Sequence, residues 1–240
     1  MHRTPSRLPR TSRTLRALRA LAVLGLPALL AVGCSSGSGG DDKGPDETSP
    51  TPGRTSASPT LAPGKYAKLP APCSALPPRT VDRLVPRDGS KHGKSLPTTD
   101  SGESGSCLWS RLDGYQYRSL TVSLRLLPSD PALGAGETRA RDYAAEQAQR
   151  AATAEGLRKA VTGQAQGIGD AASTVRGESK KDGEDFRNQT VIARAANVVV
   201  TVELDGAGYE DAKTPDGARL LKDAQAAAEE ALAAVERANS

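Results

Sequence analysis

The chain has 240 residues, with 32 Lys and Arg against 28 Asp and Glu. Six of the cations (Arg3, Arg7, Arg10, Arg13, Arg16 and Arg19) fall in the first 33 residues, which hold no acid, so the remainder carries 26 basic against 28 acidic side chains. That balance, with no basic run interleaved with aromatics, argues against nucleic acid as a partner, and aromatics at 3% leave Val, Leu and Ala to build the core.

The basic N-terminus leads into an apolar run, Ala20 to Gly33. It has the length of a signal-peptide hydrophobic region and falls short of the roughly 20 residues a membrane span requires. The run ends in Val32-Gly33-Cys34, which resembles a lipobox. Residues 1–33 are then a signal peptide, removed on export, and Cys34 takes the lipid. Ala31 stands where that pattern usually has Leu, and a plain secretory signal with an incidental cysteine is the alternative. No adjacent Arg pair precedes the run, which favours the general secretory route. The expected location is the extracytoplasmic face of the cell membrane, with the membrane as partner through Cys34.

Residues 34–70 are rich in Gly, Ser, Thr and Pro and read as a disordered tether. Such a coil has a root-mean-square span of roughly 30 Å. O-linked sugar on its Ser and Thr is left open. Residues 71–240 form a single domain of ordinary size.

Within the domain, Pro77-Pro78 opens a short helix that buries Leu76, Val81, Leu84 and Val85 and stops at Pro86. Asp88 to Ser106 has no periodicity and reads as a loop. Cys107–Leu112 and Tyr117–Leu127 alternate around Asp113-Gly114, as in a β-hairpin. Apolar residues at helical spacing predict one long helix from Glu137 to Val161. After a turn at Gly167–Asp170 come Ala172–Arg176 and then two strands, Arg187–Ala195 and Val198–Leu204, turning at Ala196-Asn197. Val198, Val200, Val202 and Leu204 share one sheet face. Thr214 as cap and Pro215 as first residue open a closing helix with Leu221, Ala224, Ala228, Ala231 and Val235 on its buried side. The expected fold is α+β: an antiparallel sheet of about five strands with helices packed on one face.

Cys73 and Cys107 remain after Cys34, and in an oxidising compartment they are expected to pair. A free reactive pair or two metal ligands are the alternatives. Pro72-Cys73-Ser74-Ala75-Leu76, Cys107-Leu108-Trp109 and Ile168-Gly169-Asp170-Ala171-Ala172 together resemble the actinobacterial secreted lipoproteins of unknown function. That family is similar in outline to the extracellular sensor domains of some actinobacterial serine/threonine kinases. The resemblance implies an α+β cleft fold with a ligand-binding role, and it brings no catalytic residues. This chain lacks the additional cysteine pair that some of those sensor domains carry.

Motifs for chemistry are sparse. Gly167 to Ala172 fits a Gly-x-Gly-x-x-Ala fingerprint but reads as a turn, since a helix is expected before it and a strand after it. Gly89 to Ser95 has its glycines one residue too close for a phosphate-binding loop. His92 is the one histidine left after His2 departs, and it sits in the loop. No Ser-x-x-Lys, His-Glu-x-x-His or Cys-x-x-Cys occurs after residue 33. Glu103, Asp113, Glu184 and Asp185 lie near strand ends, where a carboxylate pair could act as acid and base. Tyr115 and Tyr117 could offer recognition at the hairpin. The expected function is therefore a non-enzymatic, sensor-like module that binds a small ligand, a lipid or a cell-wall fragment between sheet and helices, without cofactor or metal. The alternative is an accessory subunit that meets an envelope protein through the hairpin or the Ala-rich outer face of the last helix.

Overall fold

The computed structural model describes residues 61–85 and 92–240. The expected signal peptide, Cys34, most of the expected tether and Pro86 lie outside the described residues. No helix among the described residues is long and apolar enough to cross a membrane.

A 3-10 turn at Pro72–Ser74 precedes α1 (Pro78–Leu84), in which Pro78 takes the first helical position as expected. Three strands follow: β1 (Lys94–Leu96), β2 (Ser104–Asp113) and β3 (Gln116–Leu126). After α2 (Gly136–Ala152) come β4 (Arg158–Ala165), β5 (Ala171–Lys181), β6 (Glu184–Ala195) and β7 (Val198–Gly208), and α3 (Gly217–Ala238) closes the described chain. The strands form one antiparallel sheet in the order β1-β2-β3-β7-β6-β5-β4. Two meanders are thus joined at the centre by the β3–β7 pair, and α2 carries the chain from the middle of the sheet to its far edge.

The sheet has seven strands where about five were expected. The two additions are β1, inside the stretch read as loop, and β4, which begins inside the stretch read as helix and runs past its expected end at Val161 to Ala165. The long helix expected to Val161 ends at Ala152: Thr153 Oγ1 donates to Gln149 O and Gly156 sits at φ +77°, a conformation that breaks the helix. Leu157 and Val161 kept the helical spacing by coincidence. The closing helix starts two residues later than expected, with Asp216 rather than Thr214 as its cap, accepting from Arg219 N at 2.8 Å.

The helices lie on both faces, not one. Ala224, Ala227, Ala228, Ala231 and Val235 of α3 pack with α1 onto Leu120, Val122, Leu124, Val198, Val200, Val202 and Leu204. Five buried alanines on α3 let its backbone approach the sheet closely, which is how a core poor in aromatics fills. The intervening residues Val199, Ile192 and Val175 face the other way, under Ala140, Ala144 and Ala148 of α2. Cys73 and Cys107 form a disulfide with Cα atoms 5.0 Å apart, tying the 3-10 turn to β2.

The fold also takes in residues read as tether. Tyr66 is 4% exposed and belongs to the α3-side core. Asn197, fully buried at the β6–β7 turn, accepts from Tyr66 N at 2.9 Å and donates to Tyr66 O at 2.9 Å and to Leu127 O at 3.3 Å. Just beyond, Asn239 Oδ1 accepts from Ala67 N and Lys68 N, and its Nδ2 donates to Lys68 O. The first described segment is therefore stitched beside the last.

Candidate functional site

On the face opposite α3, helix α2 covers only the end of the sheet nearest Val199 and Ile192. Beyond that end the alternation of central strand β7 places Thr201, Glu203 and Asp205 in line. Register fixes their neighbours. Glu203 lies between Thr121 of β3 and Thr190 of β6, and Asp205 between Ser119 and Asn188. One step further, Ala207 lies between Tyr117 and Phe186. Those two rings and Tyr209 meet edge to face, with centroids 5.7 to 6.4 Å apart. The result is a platform of hydroxyls and two carboxylates, bounded by α2 on one side and an aromatic ledge on the other.

Two concavities open on this platform. One of about 390 Å³ runs past Tyr143 and Gln147 of α2 to Ser123, Thr201 and Glu203. The other, of about 210 Å³, runs past Ala151 and Leu157 to Asn188, Asp205 and again Glu203. Glu203 thus stands where they meet. Its side chain reaches solvent, yet the walls on either side thin the water around it, and that partial burial raises its pKa above the ordinary carboxylate value. Asp205 is more enclosed. Burial first, and then the charge of Glu203, push its pKa to about 6, against the opposing pull of the Asn188 side chain and the Gln189 backbone. Asn188 Nδ2 donates to Asp205 Oδ1 at 3.0 Å, while the buried Asn188 Oδ1 has no hydrogen-bond partner. Neither carboxylate has an ion pair among the described residues. The arrangement therefore offers acceptors in surplus, together with hydroxyls that act either way.

The structure disperses the acids singled out from sequence. Glu103 pairs with Arg125 at 3.5 Å and Asp185 with Arg158 at 2.9 Å. Glu103 and Asp113 lie at opposite ends of β2, and Glu184 opens β6, with β3 and β7 between it and β2. His92 is exposed just before β1. Tyr115 is 59% exposed at the hairpin, whereas Tyr117 joins the ledge. On α3, Ala224, Ala228 and Ala231 are buried as expected, whereas Ala226, Ala233 and Ala238 on its outer side are only partly buried and Ala218 is exposed. Glu203 and Asp205 were the residues missed. The signal for them was present, since a strand with Val202 and Leu204 in the core must turn 203 and 205 to the other face, but nothing marked that face as walled.

The chain matches no family model and no curated protein. Among solved structures it is similar to the crystal structure of LpqN, described as involved in cell envelope biogenesis of Mycobacterium tuberculosis, at 16% identity and a TM-score of 0.31, over 61% of this chain and 78% of that one. A likeness of that degree carries no argument about function.

Proposed function

We propose that the protein is an extracytoplasmic, lipid-anchored binding module whose ligand, a hydroxyl-rich molecule such as a cell-wall glycan fragment, lies on the platform between α2 and the aromatic ledge. The observation that carries this reading is the pair Glu203 and Asp205: adjacent on the central strand, partly walled, and without a cation among the described residues. Sugar hydroxyls would donate to these carboxylates, and the neighbouring half-buried Tyr117 and Tyr209 rings, backed by the buried Phe186, offer an apolar surface to a sugar face. Native mass spectrometry of the full chain from its own host envelope should show excess mass that is lost on denaturation. Glu203→Gln with Asp205→Asn should weaken binding of the released ligand about tenfold or more, since each charged acceptor contributes about 1.5–3 kcal/mol. Unchanged binding in that double variant would sink the assignment. The lipid anchor has its own test: Cys34→Ala should release the protein from the membrane fraction or leave it unprocessed, and normal incorporation of labelled lipid would refute it.

A second reading rests on Asp205 alone. A carboxyl titrating at about 6 is poised for general acid catalysis beside a second carboxylate. Turnover of a glycoside by the full chain, abolished in Asp205→Asn, would make the platform an active site. Tight binding without turnover would keep it a binding site.

A further inference from the structure

The α3 side of the sheet holds a second, differently charged concavity. Between β7 and α3 the chain runs as a strap, residues 209–216, that lies directly on the end of β7. A Cβ at Gly208 would stand 2.1 Å from Ala212 O, and one at Gly206 2.9 Å from Pro215 Cγ, so glycine at both positions permits the close approach. The strap parts two basins of about 500 and 460 Å³, each lined by Lys213, Thr214, Pro215 and Asp216.

The acids of this region are already engaged. Asp223 is held by Arg83 at 2.5 Å and Arg219 at 3.9 Å; Glu178 by Lys159 at 2.9 Å and by Arg187; Asp216 by its cap on α3. Arg118, Arg176 and Lys213 line the basins with no ion pair among the described residues. Among the described residues Arg118 donates to Tyr117 O and Gln116 Oε1 and meets no carboxylate, and burial lowers its pKa.

Two further groups address the second basin. Asp216 satisfies only the Arg219 N–H, so the N–H groups of Gly217 and Ala218, which line the basin, have no acceptor inside the helix. Independently, Gln189 is 2% exposed, lines the same basin, and its Oε1 has no hydrogen-bond partner. Its Nε2 lies 3.4 Å from where a Cβ on Gly217 would stand, which places the amide against the first turn of α3. Free N–H groups at a helix start, with unpaired cations beside them, call for an anion. A buried acceptor in the same place calls for a donor on that same ligand.

We propose that the basin between the first turn of α3 and strands β5 and β6 binds a phosphate ester that also bears a hydroxyl. The phosphoryl oxygens accept from Gly217 and Ala218 N–H, Arg176 and Lys213 supply counter-charge, and the ligand hydroxyl donates to Gln189 Oε1. Glycerol phosphate in solution and the headgroup of phosphatidylglycerol present this same chemistry. The site is on the opposite face of the sheet from Glu203 and Asp205, so it stands or falls apart from the glycan reading.

The test is titration of the full-length chain with glycerol phosphate and with inorganic phosphate, followed through the amide resonances of Gly217 and Ala218, alongside sedimentation with phosphatidylglycerol or phosphatidylcholine vesicles. Saturable shifts are expected in the millimolar range, with the ester preferred over inorganic phosphate. Arg176→Ala with Lys213→Ala should weaken binding about tenfold by removing charge-assisted contacts. Gln189→Leu should erase the preference for the ester without lowering the melting temperature, because an apolar side chain of similar size relieves the unpartnered acceptor. Phosphatidylglycerol-specific sedimentation that the double variant loses assigns the headgroup; binding of glycerol phosphate with no vesicle preference assigns the soluble ester. Absence of shifts at Gly217 and Ala218 together with no vesicle binding overturns the proposal. So does a Gln189→Leu variant that melts lower yet binds both anions unchanged, since Gln189 is then only a prop for the helix.

Discussion

Asp205 ionises near 3.8 in an open chain and at about 6 in the fold, so the folded state holds its proton more tightly than the unfolded state. The penalty for ionising it in the fold is absent below about pH 4, grows as pH rises, and is complete above about pH 6. Asp205→Asn keeps an oxygen for Asn188 and removes that penalty. It should stabilise the protein by about 1–2 kcal/mol at pH 7.5 and by nothing at pH 4, as read from urea melts across pH. Asn197→Ala should act in the opposite direction. It strands Tyr66 N, Tyr66 O and Leu127 O without a partner, at a cost of about 2–4 kcal/mol in the same melts. Neither residue announced itself in the sequence. Asn197 read as an ordinary turn asparagine, because its value lies in a partner 131 positions away. Asp205 and Glu203 carried no mark in the sequence, because the wall that changes them is an α2 placed by tertiary packing.

At the scale of elements, the two long helices differ in how much they contribute. α3 buries eight side chains, whereas α2 buries only Gly136 and Ala140. Amide exchange in α2 should therefore run faster than in α3, and protection no weaker in α2 would contradict the packing described above. The Cys73–Cys107 disulfide closes a loop with a sequence separation of 34, and loop-closure entropy gives it about 4 kcal/mol. Replacing both cysteines with Ser should lower the melting temperature, and a reducing agent should do the same to the unaltered protein. Strand alternation around Asp113-Gly114 and Ala196-Asn197 made two hairpins legible, and apolar spacing made α3 legible almost to its ends. β4 was hidden because it is an edge strand exposed on both faces, so it shows no alternation. The second covered face was hidden for a related reason: Val199, Ile192 and Val175 make a small apolar set on strands whose stronger pattern points the other way.

Across the whole molecule, chemistry is divided by the sheet. Two carboxylates without an ion pair among the described residues, Glu203 and Asp205, sit on the α2 side, whereas on the α3 side the acids Asp216, Asp223 and Glu178 are engaged and the cations Arg118, Arg176 and Lys213 are the groups left without an ion pair. The division depends on distant pairings, since β3 finds β7 only across α2 and three intervening strands. Such topology folds slowly compared with local hairpins. The stitching of Tyr66, Ala67 and Lys68 to Asn197 and Asn239 adds a constraint of timing. Made from its N-terminal end, the chain offers residues 61–68 long before their partners, which come more than a hundred positions later. That segment must wait, unpaired, while the sheet assembles behind it. The domain therefore cannot lock until its last turn has been added, and the order in which its own parts arrive keeps it open until then.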